Sequence, residues 1–397
     1  MGLSLHKKAI FCALLVAGST PSVWAAVTDD DFSLLEEEVN SMKEANDTAT
    51  KISGYVDAEY ISDTRDSATI DDKYGFRLHH LSLFVTKKFN QDWKFFSEVE
   101  FEDGTFIDSG SLEGEKFSNT SGSIYAEAVN LDYQWRPSQY VRIGRDFTPA
   151  GIWSVDHYPP FVPTQETPMH IRQIFPGVID GADAHGTIPM GRTFMDYDVY
   201  VANGADTPGQ SDNNDQKAVG GRASFILPLF NRFEVGASFF RDTNTEATDV
   251  THTVDISGLP GGVSGDTVTI VDGQTTLDTR KTAYGLHAKL KVDKFTLQTE
   301  YAADTLKPLD GSAETKQVGY YLQALYDIRQ WTMGYRYDLW NPDKSATAKV
   351  TDNVLFVNYH VSPVIVCKLE HHMVDNQDPT VEDYGRTILS IAYYLGE

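Results

Sequence analysis

The chain has 397 residues, 41% of them hydrophobic and 12% aromatic, with a formal charge of −24. So acidic a chain does not hold nucleic acid by neutralising phosphates, and two cysteines are too few for a disulfide-built scaffold. No apolar run reaches the roughly 20 residues that a membrane-spanning helix needs, whereas 20 Tyr and 21 Phe favour strands.

Residues 1–25 read as a signal peptide. Lys7 and Lys8 supply the positive start, Ala9 to Gly18 a short apolar core, and Val23-Trp24-Ala25 a cleavage site with small residues at −3 and −1. The chain is therefore expected to be exported. Residues 26–51 follow as an acidic periplasmic segment. Phe32, Leu35, Val39 and Met42 are spaced 3, 4 and 3, which is a coiled-coil seam about two heptads long. A short helix or coiled coil and a solvated acidic linker both fit this segment.

From residue 52 to 397 strand follows strand. Sixteen segments are expected at 52–61, 75–88, 92–103, 122–136, 139–148, 180–189, 193–204, 216–228, 231–242, 279–292, 294–304, 314–327, 330–340, 349–361, 363–374 and 384–396. Most alternate strictly. In the third, Trp93, Phe95, Val99 and Phe101 fall on one face and Lys94, Glu98, Glu100 and Glu102 on the other; Phe96 is an oily residue on the charged face. The connections alternate too. Short ones such as 89–91, 137–138 and 190–192 exchange with long ones at 62–74, 104–121, 149–179, 205–215, 243–278, 305–313, 341–348 and 375–383. An even number of strands with all long loops at one end predicts an all-β fold: a 16-stranded antiparallel transmembrane β-barrel, short turns toward the periplasm and long loops outside. Closure follows from the solvent, because strands in lipid must satisfy every backbone polar group and a closed sheet has no edge. Trp93, Trp135, Trp331, Trp340 and Tyr393 near strand ends suit interfacial girdles.

The charged register names the expected pore-lining residues. They are Asp57 and Glu59; Lys94, Glu98 and Glu100; Arg142; Arg222 and Glu234; His287 and Lys289; Glu300; Arg336 and Asp338; and Lys368 and Glu370. Opposed charges on facing walls set selectivity in such channels, although the same residues could pair with one another and brace the wall. The acidic excess itself sits in residues 29–50 and the long loops rather than in the strands.

The third long loop, 149–179, is rich in proline and carries Trp153, His157, Tyr158, Phe161 and Phe175. Such stiff apolar content predicts a constriction loop folded into the lumen, with Asp156, His157, Glu166, His170 and Arg172 nearest the solute; an outward cap or subunit contact is the alternative.

Several stretches in order resemble the phosphate-selective porin O/P-like family: GYVDAEY (54–60), VRIGRDFTPAG (141–151), VANGA (201–205), GRASFILP (221–228) and GYYLQALY (319–326). The resemblance spans residues 52–397. It implies a homotrimer of 16-stranded barrels in the bacterial outer membrane, passing small hydrophilic solutes or ions passively through each barrel with no cofactor. The arginine ladder and lysine cluster of the family's phosphate-specific members have no counterpart here as a dense basic run. The C-terminal AYYLGE, with Tyr394 three residues from the end, reads as a variant assembly signal. Enzyme motifs are not met: there is no GxSxG and no HExxH, the neighbours Ser154, Asp156 and His157 do not by adjacency make a triad, and EHHM at 370–373 splits its histidines between faces. No catalytic or metal residue is therefore expected. A structural or interaction barrel with a plugged lumen is the alternative to a channel.

Overall fold

The computed structural model describes residues 49–65, 74–107, 119–204, 214–230, 232–255, 267–344 and 348–396. The signal peptide expected at 1–25, the helix or coiled coil expected at 26–51 up to residue 48, and much of the long loops lie outside the described residues. Sixteen strands run in order: β1 (Thr50–Asp63), β2 (Tyr74–Lys88), β3 (Trp93–Ile107), β4 (Asn119–Arg136), β5 (Gln139–Phe147), β6 (Val178–Met190), β7 (Thr193–Ala202), β8 (Ala218–Leu227), β9 (Arg232–Asp255), β10 (Thr267–Val292), β11 (Phe295–Pro308), β12 (Thr315–Ile328), β13 (Trp331–Asn341), β14 (Val350–Ser362), β15 (Ile365–Asn376) and β16 (Tyr384–Tyr394). Each pairs antiparallel with its chain neighbours, and β1 closes on β16 through Tyr55 opposite Tyr394 to Asp63 opposite Arg386.

Alternation sorts the side chains as the membrane requires. On one register large apolar groups stand open, among them Ile52 (71% exposed), Phe76 (87%) and Ile143 (64%). On the other, charged groups are covered: Asp57 and Asp338 are 0% exposed, and Arg336 and Lys368 1%. A water-soluble barrel would show the reverse, so the open apolar face has the character expected of a surface toward hydrocarbon.

Two departures from regular pairing matter for the interior. Asp57 pairs with His80 but Ala58 pairs with Leu78, so His79 is an extra residue in β2. Likewise Glu98 pairs with Ala128 and Val99 with Ala126, leaving Glu127 extra in β4. Such bulges turn a residue from one face to the other. The structure also corrects one boundary. The segment 243–278, expected as a long loop, is mostly strand: β9 and β10 stay paired from Asp255 opposite Thr267 down to Arg232 opposite Lys291. The Thr- and Val-rich sequence on both sides of 256–266 explains this, since β-branched residues extend a hairpin beyond the wall.

Candidate functional site

The interior is organised by the segment between β5 and β6. Its backbone leaves β5 at Thr148 and returns at Val178, with Thr148 N–H donating to Gly177 O across its root at 3.1 Å. Between these points its polar groups bond to inward-facing side chains on widely separated strands, so the segment lies across the inside of the barrel.

The first contacts are with β8, β9 and β11. Arg222 Nε donates to Gly151 O at 2.8 Å, Gly151 N–H to Ser238 Oγ at 3.1 Å, and Trp153 N–H to Glu300 Oε1 at 3.0 Å. Glycine is favoured at position 151. Its φ is +59°, and a Cβ would sit 1.7 Å from Glu300 Oε2. Around this point Ala150, Ile174 and Phe175 pack with Ile179, Tyr200, Ala202, Ala218, Phe240, Ala283 and Ala302. The inward register of β6 to β11 is therefore partly apolar.

The middle of the segment meets the opposite side. Arg336 Nη1 donates to Thr164 Oγ1 at 2.7 Å and Glu166 O at 3.1 Å; Asn358 donates to Pro163 O at 2.8 Å; Lys368 Nζ reaches Thr164 O at 3.4 Å. In return, Gln165 N–H donates to Glu370 Oε2 at 3.0 Å and Met169 N–H to Asp338 Oδ2 at 2.8 Å. The Gln165 amide also donates to Asp57, and Arg386 pairs with Glu166. His170 is buried over Tyr321, where β12 has Gly319; a Cβ at that position would lie 2.2 Å from His170 Cβ.

A third region lies on β1 to β4. Tyr55, Phe84 and Tyr394 form an inward aromatic cluster against which Phe96, Tyr158 and Phe161 pack, which accounts for the oily Phe96 on a charged face. Tyr158 OH donates to Glu98 Oε2 at 3.2 Å. His157 Nε2 stands 3.8 Å from Glu127 Oε2, and Arg172 Nη2 3.6 Å from Glu127 Oε1. Glu59 accepts from Arg77 Nε at 2.5 Å, and Asp57 bonds His80 Nδ1 at 2.8 Å.

Thus Asp57, Glu59, Glu98, Glu100, Arg222, Glu300, Arg336, Asp338, Lys368 and Glu370 converge on or beside the inserted segment. Others do not. Arg142 holds Asp132 through two bonds, at 2.7 and 3.0 Å, away from the segment. Lys94 faces Asp132 in the β3–β4 register, and Lys289 faces Glu234 and Gln298 on its neighbours. Glu234 lies 3.4 Å from Arg222 and 3.7 Å from His287, whose Nε2 shares Ser224 Oγ at 3.1 Å. Asp156 is half-buried. Among residues that the alternation rule passed over, His79 and Glu127 enter through the bulges. Had no bulge intervened, each would stand on the lipid-facing register, and an ionisable residue there is the signal that could have found them.

The groups of the inserted segment are shifted by their surroundings. Burial, and then the charge of Arg336, hold His170 down to about 3. Burial likewise lowers His157, and it raises the Tyr158 phenol well above its ordinary range. Burial would raise Glu166, but the positive charge of His372 and Arg386 outweighs it and leaves this carboxyl lowered. Both His157 and His170 are thus held neutral. Neither ring nitrogen of His157 makes a hydrogen bond.

The comparisons with known proteins agree with this architecture. A protein of Aquifex aeolicus (strain VF5), described only as uncharacterized, is 31% identical over an alignment of 209 positions that covers 48% of this chain and 43% of that protein's length. Among solved structures, an anion-selective porin from Comamonas acidovorans superposes with a TM-score of 0.59 at 14% identity, over 87% of this chain and 99% of the porin. A loop L8 deletion mutant of OmpT, an outer membrane protein of Vibrio cholerae, gives 0.56 at 13% identity, over 88% of this chain and 100% of that one. These structural likenesses concern the fold. The model of the family Phosphate-selective porin O and P matches residues 51–349, and the chain belongs to that family.

Proposed function

We propose that the protein is an outer-membrane porin through which small hydrophilic solutes or ions diffuse passively, narrowed by residues 149–177. One observation carries the reading: a closed barrel with an apolar outside and a charged inside is crossed by a segment bonded to β8, β11, β13, β14 and β15. On this reading Asp57, Glu59, Lys94, Glu98, Glu100, Arg142, Arg222, Glu234, His287, Lys289, Glu300, Arg336, Asp338, Lys368 and Glu370 line the wall of the pore. Many also brace it. Asp156, His157, Glu166, His170 and Arg172 belong to the narrowing, where His170 and Glu166 serve chiefly to dock it. The reaction class is transport without chemistry. The assembly is the homotrimer that the family implies, seated in outer-membrane lipid after export by the signal peptide.

Selectivity for phosphate finds little support in the interior. Arg142 is held by Asp132, Arg222 by Gly151 O and Glu234, Arg336 by Thr164 and Glu166 O, and Lys368 by Thr164 O. Guanidinium and ammonium groups used in this way offer little to a passing anion. Asp57, Glu59, Glu98, Glu100 and Glu127 lie on β1, β3 and β4, on one side of the barrel, so a mild cation preference is expected. Planar-bilayer recording tests both parts. Stepwise conductance with a reversal potential displaced toward cations in a salt gradient supports the reading. A folded barrel that never conducts removes it, and a strong anion preference removes the selectivity part alone.

A further inference from the structure

The wall of β3 and β4 carries a chemical group that passive diffusion does not call for. Glu98, Glu100 and Glu127 are 0%, 3% and 7% exposed, and one carboxylate oxygen from each lies within 4.8 Å of the others. Three carboxylates this close and this buried do not all carry charge without a counter-cation. Basic groups stand at the edges of the cluster, His80 with a ring nitrogen within 4.8 Å of a Glu100 oxygen and Arg172 on Glu127. Arg172 stands 3.6 Å from Glu127 Oε1, while Glu127 Oε2 has no hydrogen-bond partner.

A second observation comes from the other side of the gap. His157 belongs to the inserted segment, not to the wall. Its side chain is 9% exposed, and its Nε2 points at Glu127 Oε2 from 3.8 Å. That is too far for a hydrogen bond, and neither ring nitrogen has another partner. Metal–ligand bonds of about 2.0–2.6 Å place two donors of one ion roughly 3–5 Å apart, which suits both this gap and the spacing of the carboxylates. The carboxylates are already oriented from behind: Ser82 Oγ donates to Glu98 Oε1 at 2.7 Å, Tyr158 OH to Glu98 Oε2 at 3.2 Å, and Tyr55 OH to Glu100 Oε2.

We propose that Glu98, Glu100, Glu127 and His157 form a site for one divalent metal ion, which ties the inserted segment to the wall of the barrel. Three carboxylates and one imidazole suit Zn²⁺ better than Ca²⁺, because the nitrogen donor adds affinity for the softer ion.

The test uses the full-length barrel, stripped with a chelator and titrated calorimetrically with Zn²⁺ and, in parallel, Ca²⁺. One Zn²⁺ per chain is expected, bound at least tenfold more tightly than Ca²⁺. Glu127→Gln and His157→Gln, each with the circular dichroism and heat-modifiable gel mobility of an intact barrel, should each weaken Zn²⁺ at least tenfold. The neighbouring Asp57–His79–His80 and His80–Glu100–Glu102 groups contain neither substituted residue, so Zn²⁺ binding that survives both substitutions overturns the assignment. So does the absence of saturable binding, in which case the three carboxylates share protons instead. Tighter Ca²⁺ than Zn²⁺ overturns the part given to His157. Should Glu127→Gln fail to fold, His157→Gln, which alters the segment and not the wall, decides alone. Conductance is recorded separately, and its outcome leaves this one untouched.

Discussion

The inserted segment is held in two different ways at its two sides. Toward β6 to β11 it is rooted chiefly by hydrophobic burial, with Ile174 0% and Phe175 7% exposed among Tyr200, Phe240 and a floor of alanines, beside the bonds of Gly151 and Trp153 to Arg222, Ser238 and Glu300. Toward β13 to β16 it is held by charge and hydrogen bonds, through Thr164, Gln165 and Glu166 against Arg336, Lys368, Glu370 and Arg386. The root resembles an ordinary core; the middle resembles an interface. The difference teaches that a barrel with a polar lumen can still fix a loop rigidly if one wall gives up its polarity where the loop enters. Removing water from apolar surface is indifferent to pH and salt, whereas the opposite side depends on which groups are ionised. The two anchors should therefore fail under different conditions.

The largest effect is expected at the root. Phe175→Ala removes a buried aromatic group and should weaken docking by about 3–5 kcal/mol. Larger and noisier single-channel currents would report it, without change between pH 7 and pH 5 beyond that of the parent. Arg336→Ala comes next. It removes the donor to Thr164 Oγ1 and Glu166 O and the counter-charge 3.9 Å from the Asp338 carboxylate, and a loss of about 3 kcal/mol is expected. Thermal unfolding and current noise both read it. If Arg336→Ala leaves noise unaltered while Phe175→Ala raises it, the polar anchor is dispensable and the comparison collapses to the apolar root alone.

The third prediction concerns protons. His170 is neutral while docked, at about 3, against its ordinary 6.5. An undocked segment therefore binds a proton that the docked one does not. Docking is fully favoured above 6.5 and weakens as the pH falls from there toward about 3. Current noise in the parent should rise over that window, and His170→Gln should flatten the rise. The smallest effect is expected for Glu166→Gln, which breaks a partly exposed pair with Arg386 and should shift stability by about 1 kcal/mol. Because the Glu166 carboxyl is lowered in the folded chain, its contribution is whole above its ordinary 4.5 and is lost as the pH falls through the lowered value. Melting temperatures compared between pH 7 and pH 5, where His170 but not Glu166 changes its protonation, and again below pH 4.5 separate the two.

Much of the wall was legible because a strand has only two faces. Once Trp93, Phe95 and Phe101 are set against Glu98 and Glu100, the register of β3 follows, and neighbours of known direction carry it around the ring. Boundaries agreed to within a few residues except at β9 and β10, where a charge-bearing Thr-rich sequence reads as loop by composition and as strand by β-branching. Bulged residues were not legible in this way. Alternation counts by two, and the extra residues His79 and Glu127 shift that count without any marker except their own polarity in an oily register. Inward aromatic and alanine positions such as Tyr200, Phe240 and Ala283 were also opaque, since nothing local says that a lumen-facing site will be covered by a distant loop.

The chain by itself determined the strand count, the alternation, the two loop lengths and therefore closure, because a sheet in hydrocarbon has no other way to satisfy its backbone. It also marked residues 149–179 as unusual through proline and aromatic content. Tertiary structure alone decided what those residues touch. Glu127 and His157 are 30 positions apart in sequence, Gln165 and Glu370 are 205 apart, and each pair meets only when the ring has closed around the inserted segment. The identity of a strand face is a local matter of period two; the partner of a side chain across a lumen depends on barrel diameter, bulges and the path of a loop, none of which any short stretch of sequence contains.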